Sequence, residues 1–327
     1  MKRSLAVVWA VVVLVGLMIA GCNKNDGTGP GNDTAPSGVT NEQQALKYYA
    51  ENDEFVKNDD ETYADNSIDP MEYGTFGKID ASVIPYRFGR FVTNVTRTTT
   101  TTIQPGDSIA IAQVDKDIFG TFKILAKVNV TDTAFTLIQK PFHDKSTRNI
   151  IFRRFDHNTA KFWLNWLPVA TSLVDGGTVP PNDKIHITKL QLFAPNGDTI
   201  TVTDPNNTYL RYKWLQRLLG GAKDVPEFMG GQKVRLQATV VSSSADTDLV
   251  ALRYGFNGIQ KKRTLMTLVS EVNNGGVYTR VYEKTWAAHF HPGLFNAGVD
   301  AATRETLFDN DTTKYSVSWW GIPYRVY

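Results

Sequence analysis

Short blocks of β-branched and aromatic residues, divided by turn-forming residues, dominate the chain from about residue 77 to residue 173. Valine, isoleucine, threonine and aromatic side chains fit a pleated sheet, whereas Pro, Gly, Asp and Asn interrupt strands. Helical segments do not alternate with these blocks, so a parallel α/β enzyme fold is disfavoured. We therefore predict an antiparallel β-domain over residues 77–175, with a turn at 105–107 and strands at 87–92, 108–114, 119–130, 134–139, 148–155 and 161–167.

The second half of the chain continues this pattern with a clearer alternation. Asn196-Gly197 separates two alternating blocks, 184–194 and 199–203, and this dipeptide favours a β-hairpin. Residues 233–254 form a strand, a polar loop and a strand, which resembles the middle of immunoglobulin-like β-sandwich modules on bacterial surfaces, without the cysteine pair and core tryptophan of antibody domains. The fold class that we predict is mainly β, with two antiparallel β-sandwich-like domains, the second immunoglobulin-like over residues 183–327.

Gly176-Gly177 and Pro180-Pro181 interrupt the strand pattern between residues 173 and 182. Glycine and proline pairs are strong breakers of regular structure. We therefore predict the boundary between the two β-domains at this stretch.

Two helices are predicted beside the strands. Residues 41–57 carry apolar residues at helical spacing after Asn41, which is placed as an N-cap. A second helix is predicted from Thr208 to Leu219. Between Glu51 and Asp69 the chain has eight acidic residues, so we expect this part of the N-terminal segment 41–76 to be solvated.

The first 40 residues predict export and membrane attachment. Lys2 and Arg3 precede an uncharged stretch from Leu5 to Ala20, which is the order of a signal peptide, 1–21. Ile19-Ala20-Gly21-Cys22 resembles the lipobox of bacterial lipoproteins, and the resemblance implies that Cys22 carries a diacylglycerol and becomes the new N-terminus. Because Asn23 is not the aspartate that retains such proteins in the inner membrane, the resemblance implies the outer membrane. Residues 22–40, rich in Gly and Pro, predict a flexible linker.

Net charge and cysteine content limit which partners and which covalent cross-links the chain can have. Of the 35 basic residues two lie in the leader, which leaves 33 against 33 acidic residues in the exported chain. A balanced charge does not favour nucleic-acid binding. Cys22 is the only cysteine, so an internal disulfide is excluded.

His289 and His291 are the candidate metal ligands, because residues two apart on a strand point to the same side. With a third donor such as His143 or His157 they could bind zinc. The simpler interpretation is an exposed pair near a strand end, since a metal site needs three or four ligands.

Two other clusters allow a functional and a structural interpretation. The oxygen-rich run 309–313, with Asp246 and Asp248, could bind calcium, but Asp and Asn are also the usual turn formers. The aromatic clusters could recognise sugars or proteins, or fill the space between sheets, and we expect one member of each to be buried. These clusters are Trp163 with Trp166, and Trp319 with Trp320 and Tyr324.

No nucleophile elbow, phosphate-binding loop or redox motif occurs in the chain, so no catalytic residue and no cofactor is assigned. Two hypotheses follow. The first is a lipid-anchored envelope protein that binds an envelope protein or a glycan without catalysis. The alternative is a tethered hydrolase of envelope polysaccharide or peptide, with a metal at His289 and His291.

Overall fold

The computed structural model describes residues 34–64, 69–70, 82–129, 131–180, 184–195, 197–212, 223–254 and 262–327. Its helices are α1 (Glu42–Glu51), α2 (Glu54–Tyr63) and α3 (Arg304–Phe308), with a 3-10 turn at Phe162–Leu164. Its strands are β1 (Asp69–Pro70), β2 (Ile84–Ile103), β3 (Ile109–Lys127), β4 (Thr136–Arg154), β5 (Trp166–Ser172), β6 (Val174–Thr178), β7 (Ile185–Phe193), β8 (Thr199–Val202), β9 (Tyr209–Arg211), β10 (Lys223–Asp224), β11 (Glu227–Phe228), β12 (Lys233–Ser242), β13 (Leu249–Tyr254), β14 (Lys262–Leu265), β15 (Thr267–Asn274), β16 (Val277–Ala287), β17 (Gly293–Ala302) and β18 (Val317–Val326).

The strands form two sheets with mainly antiparallel pairing, as the sequence predicted. The order in the first sheet is β1-β2-β3-β4-β6-β18-β17-β13-β14, and the short strands β5, β9, β10 and β11 join it at the side. The order in the second sheet is β15-β16-β12-β7-β8. None of the helices among the described residues is long and apolar enough to cross a bilayer.

The two sheets pack face to face around one apolar core, so the fold is β-sandwich-like. In β7 and β12 of the second sheet, buried inward-facing side chains alternate with more exposed ones, whereas β17 and β18 of the first sheet are buried on both faces. Each fully buried Leu or Val contributes about 1.5 to 3 kcal/mol. The polar loop 243–248 carries the chain from β12 in one sheet to β13 in the other. Core residues from the second sheet include Leu190, Leu236 and Val240, and those from the first include Val250, Val299 and Ile322.

Strands β2, β3 and β4 are much longer than the predicted blocks, at 20, 19 and 19 residues. The predicted turn at 105–107 joins β2 to β3, where Gly106 and Asp107 both have positive φ. We call these three strands the blade. On one of its faces lie α1 and α2, whose Leu46, Ala50 and Val56 pack on alternate residues of β3.

The predicted helix 41–57 is in fact two helices. The Asn41 side chain caps α1 by accepting the Gln44 N–H at 2.9 Å, as predicted. The chain then turns at Asp53, whose carboxylate accepts the Phe55 N–H at 2.9 Å and starts α2. An aspartate with this bond is a good N-cap, which explains the break.

The expectation of a solvated acidic segment is wrong for α2. Asp59 is 2% exposed and receives two hydrogen bonds of 2.7 Å from Arg148 of β4. Asp60 pairs with Lys116 of β3 at 2.6 Å. Buried acids need such partners, and these cations lie far away in sequence.

Strands β7 and β8 form the predicted hairpin, because Phe193 of β7 pairs with Thr199 of β8 and Gly197 has a φ of 91°. The helix predicted at 208–219 is wrong at its start. Residues 209–211 are strand β9, which pairs with β5, and its Leu210 is buried between two half-buried neighbours. The rest of the predicted helix, from residue 213, lies outside the described residues.

The stretch 173–182, predicted as a domain boundary, contains the central strand β6. This strand pairs with β4 on one side and with β18 on the other. Residues 36–327 form one compact unit, and strands from both predicted domains share the first sheet. The structure therefore places the predicted boundary inside one unit.

Candidate functional site

The outer face of the blade, opposite α1 and α2, carries a regular array of polar side chains. Residues directly opposite each other in antiparallel strands share a face, so the strand register orders them into rows. One row runs Thr98, Asp115, Thr147, Asp175 and Trp320 across β2, β3, β4, β6 and β18. The next row runs Thr96, Asp117, Lys145, Gly177 and Ser318.

Hydrogen bonds within and between the rows hold these polar groups in place. The Thr147 hydroxyl donates to Asp115 at 2.6 Å, and the Gln113 amide donates to the other Asp115 oxygen at 2.9 Å. Asp117 lies 2.9 Å from the His143 ring, which stacks on Phe119 with centroids 4.2 Å apart. The array is therefore preorganised rather than loosely solvated.

The rows end in a cleft of about 410 Å³, where the second sheet begins to cover the outer face. Small-molecule sites commonly have volumes of about 300 to 1,000 Å³. The Ile187 N–H of β7 donates to the Ser318 hydroxyl of β18 at 3.1 Å and so joins the two sheets at the cleft. The lining residues are Lys145, Ser146, Thr147, Asp175, Gly176, Gly177, Thr178, Val179, Ile185, His186, Ile187, Val317, Ser318 and Trp320.

Asp175 is the distinctive group in this cleft. Burial raises the pKa of its carboxyl, while hydrogen bonds donated by the Trp320 side chain and by the Gly176 backbone act in the opposite direction. His186 is exposed at the start of β7 and lies close enough to act electrostatically on Asp175. The cleft thus offers a carboxyl, hydroxyls, an imidazole and the Lys145 ammonium to one ligand.

Gly176 and Gly177 allow β6 to fit between its neighbours. A Cβ on Gly176 would lie 2.8 Å from the Lys145 carbonyl oxygen, and one on Gly177 would lie 2.8 Å from the Val317 carbonyl oxygen. Real Cβ atoms do not approach so closely, so these glycines are packing residues of a strand. The same dipeptide indicated a linker in the sequence, which is why Asp175 beside it was missed.

The predicted metal ligands are not brought together with a third donor. His289 is buried against Phe295, with ring centroids 4.9 Å apart, whereas His291 is exposed. Both lie in the connection between β16 and β17 rather than on a strand, so they do not share a strand face. Within the described part of the chain, no group of three His, Cys, Asp or Glu side chains is placed to hold a metal ion.

The predicted calcium ligands and the aromatic clusters have partners within the fold. Asp248 is buried and pairs with Arg280 at 2.7 Å, while Asp311 accepts bonds from Thr313 within its own turn. The calcium interpretation therefore finds no shared site for these groups. All members of the two aromatic clusters are buried, at 8% exposure or less, which fits the packing interpretation: Trp163, Trp166, Trp319, Trp320 and Tyr324. Trp320 also lines the first cleft.

A second cleft, of about 490 Å³, lies near the C-terminal strand and is lined largely by apolar groups. Its Arg325 pairs with Glu227 at 3.8 Å, and its Tyr212 hydroxyl donates to Asp53 at 2.6 Å. Because its arginine and its tyrosine hydroxyl already have partners, it offers less chemistry than the first cleft. Cys22, the predicted lipid site, lies outside the described residues.

No family model and no curated protein matches this sequence, and no solved structure matches the chain.

Proposed function

We propose that the protein is a lipid-anchored envelope protein that binds a polar envelope ligand at the cleft and along the outer face of the blade. The lipobox resemblance at Cys22 supports the anchor. The observation that carries the binding role is the cleft itself, where a partly buried carboxyl with a raised pKa lies among hydroxyls at the end of an ordered polar row.

A glycan is the ligand class that this chemistry fits best. Sugar hydroxyls both donate and accept hydrogen bonds, so they can pair with carboxylates, with threonine and serine hydroxyls and with ammonium groups. Asp175 and Thr147 lie at the cleft, and Asp115 and Thr98 continue the same row outward. An extended polymer could therefore place one unit in the cleft and further units along the row.

The binding test uses purified peptidoglycan sacculi as the probe and the chain from residue 22 with Cys22→Ser. We expect the protein to sediment with sacculi and Asp175→Ala to weaken binding about ten-fold or more, because a hydrogen bond to a charged group contributes about 1.5 to 3 kcal/mol. Asp156→Ala, at an exposed position away from the cleft, is the matched control. Equal sedimentation of the Asp175 and Asp156 variants would remove the cleft from the proposal.

A tethered glycan hydrolase is the second candidate, because two carboxyls share one row with only Thr147 between them. Asp115 and Asp175 lie two strands apart, about 9.6 Å between Cα atoms at the usual strand spacing. Inverting glycosidases separate their carboxyl groups by about 6.5 to 9.5 Å. The Cα spacing lies just above that range, so the two side chains would have to lean toward each other. Asp175 would protonate the leaving oxygen while Asp115 takes a proton from water.

Release of reducing ends from sacculi separates the two candidates. If the protein is a hydrolase, the wild type should release reducing ends and Asp175→Asn should lower the rate of release at least a hundred-fold, because general-acid catalysis contributes about 10² to 10⁴-fold. Binding without hydrolysis predicts sedimentation with sacculi and no release. The metal-dependent form at His289 and His291 gains no support from the placement of these residues.

A further inference from the structure

The end of the blade at the β3–β4 turn carries exposed apolar side chains surrounded by cations. Val128, Phe135 and Leu137 are 51%, 42% and 49% exposed. Arg87, Lys123 and Lys127 lie among them on the same outer face. We call these six residues the tip patch.

The register of the strands makes the tip patch contiguous. Leu137 of β4 lies opposite Leu125 of β3, and Leu125 lies opposite Arg87 of β2. At the very end, the Phe135 ring packs 4.9 Å from Tyr86, and the Lys127 ammonium lies 5.3 Å from the Phe135 centroid. Leu137, Phe135 and the cations therefore form one surface, and Val128 follows Lys127 directly at the end of β3.

Among the described residues, cations outnumber acids around the tip patch. Among the described residues of the β3–β4 turn the only acid is Asp132, and its carboxylate accepts the Asn129 N–H at 2.8 Å. Asp117 lies eight residues from Leu125 along β3, about 27 Å at the usual rise per residue. This distance exceeds the Debye length of about 8 Å at physiological salt, so Asp115 and Asp117 do not neutralise the patch. Asp69 of β1 pairs with Phe88, the neighbour of Arg87, and so takes the register position of the opposite face of the sheet.

We propose that the tip patch binds the anionic surface of the lipid bilayer. Aromatic and aliphatic side chains flanked by Lys and Arg match the boundary between acyl chains and headgroups, because the apolar groups enter the hydrocarbon edge while the cations pair with phosphates. An acidic protein surface would pair with the cations, but it would not explain why three apolar side chains are exposed beside them.

The positions of the lipid anchor and the tip patch together indicate how the folded body would be oriented on the membrane. This step rests on the proposed lipid anchor. Residue 42, at the start of α1, pairs with Arg154 at the other end of the blade. Strand β4 separates the two ends by about 60 Å, and the 19-residue connection from Cys22 to Asn41 spans at most about 65 Å. A flexible linker of this length has a root-mean-square span of only about 22 to 26 Å. Tip contact with the same bilayer therefore favours a body that lies along the membrane over one that stands upright on a fully stretched linker.

This orientation would also fix the position of the cleft. Lys145 at the cleft lies eight residues from Leu137 along β4, about 27 Å from the lipid-contacting residues. The anchored protein would then present its cleft close to the membrane surface.

The test is vesicle flotation with the chain from residue 22 carrying Cys22→Ser, which cannot be acylated. We expect binding to vesicles of equal parts phosphatidylglycerol and phosphatidylcholine, and little binding to phosphatidylcholine alone. Lys123→Gln with Lys127→Gln should weaken binding about 25-fold at low salt, about five-fold for each cation. Phe135→Ser with Leu137→Ser should weaken it at least ten-fold.

Two matched controls keep the result interpretable. Val269→Ser with Val272→Ser removes apolar groups that are 57% and 55% exposed on β15, and Lys233→Gln removes an exposed cation elsewhere. Both should bind like the wild type, and all variants should keep the wild-type circular dichroism spectrum.

Three outcomes would overturn the proposal. They are no binding to anionic vesicles, equal loss in the control variants, and loss with the charge variant alone while Phe135→Ser with Leu137→Ser binds normally. The last outcome would show an anionic partner that buries no apolar group. Because the chain tested carries no lipid, none of these results depends on whether Cys22 is acylated or whether the cleft binds a glycan.

Discussion

The buried ion pair between Asp59 of α2 and Arg148 of β4 provides a direct test of how the N-terminal helices are attached to the blade. Both side chains are 2% exposed or less, and two hydrogen bonds of 2.7 Å join them. Asn296 of β17 adds a third bond to Asp59, also at 2.7 Å. The change to make is Asp59→Ala.

The expected loss follows from what the change leaves behind. Arg148 would keep its bonds to the Ser172 carbonyl at 2.5 Å and to Thr171 at 3.1 Å, but its buried charge would lose its bonded carboxylate and keep only the attraction of Asp53, to which it is not hydrogen-bonded. Removing one partner of a buried pair costs about 3 to 5 kcal/mol. Replacing both residues, with Asp59→Leu and Arg148→Met, should recover most of this loss because neither member of the pair is then left buried without the other.

Urea unfolding followed by circular dichroism measures these differences. With an m-value of about 3 kcal/mol/M, the single variant should lower the midpoint by about 1 to 1.7 M. Lys184→Ala, at an exposed pair with Glu305 of 3.1 Å, is the control and should change the free energy of unfolding by about 1 kcal/mol or less. A loss below about 1 kcal/mol for Asp59→Ala would refute the reasoning, and so would a double variant as unstable as the single one.

Three further predictions concern β6 and the core beside it. Gly176→Ala should cost about 1 to 3 kcal/mol of unfolding free energy in the same urea assay, because the new Cβ meets the Lys145 carbonyl oxygen at 2.8 Å; an unchanged midpoint would contradict this. Burial raises the pKa of Asp144 from 3.8 to about 8 despite a hydrogen bond donated by Tyr315, so the folded state keeps a proton that the unfolded state releases. The free energy of unfolding should therefore fall as the pH rises from 4 to 8. When urea midpoints are compared across that range, Asp144→Asn should show a smaller fall than the wild type. Equal pH dependence in the two proteins would argue against the raised pKa. Limited subtilisin digestion should spare residues 174–178, because β6 is paired on both sides, and two stable fragments divided between residues 173 and 182 would instead show two separate domains.

Local pattern predicted the class of the fold but not the length of its strands. Asp115-Lys116-Asp117 separates two of the predicted blocks, yet it lies within the continuous strand β3. Lys116 points to the helices and pairs with Asp60, while its two neighbours point to the outer face. The alternation continues through this triplet, but the partner that makes a buried lysine acceptable lies 56 residues away.

The candidate site was only partly visible in the sequence. The alternate polar residues of β3 could have indicated an outer polar face, because every second residue from Gln113 to Asp117 is polar. Asp175 carried no such signal, since it acquires its character from burial between β4 and β18. His289 and His291 show the opposite case. Their spacing predicted a shared strand face, but both lie in the connection between β16 and β17, where His289 is buried and His291 is exposed.

Metabolic labelling with radioactive palmitate tests the central claim of a lipid-anchored protein most directly. The wild-type chain should incorporate label and fractionate with membranes. Cys22→Ala should incorporate none and should accumulate as an uncleaved precursor or leave the membrane fraction, because Cys22 is the only cysteine in the chain. Continued labelling of the Cys22→Ala protein, or a wild-type protein without label, would contradict the account.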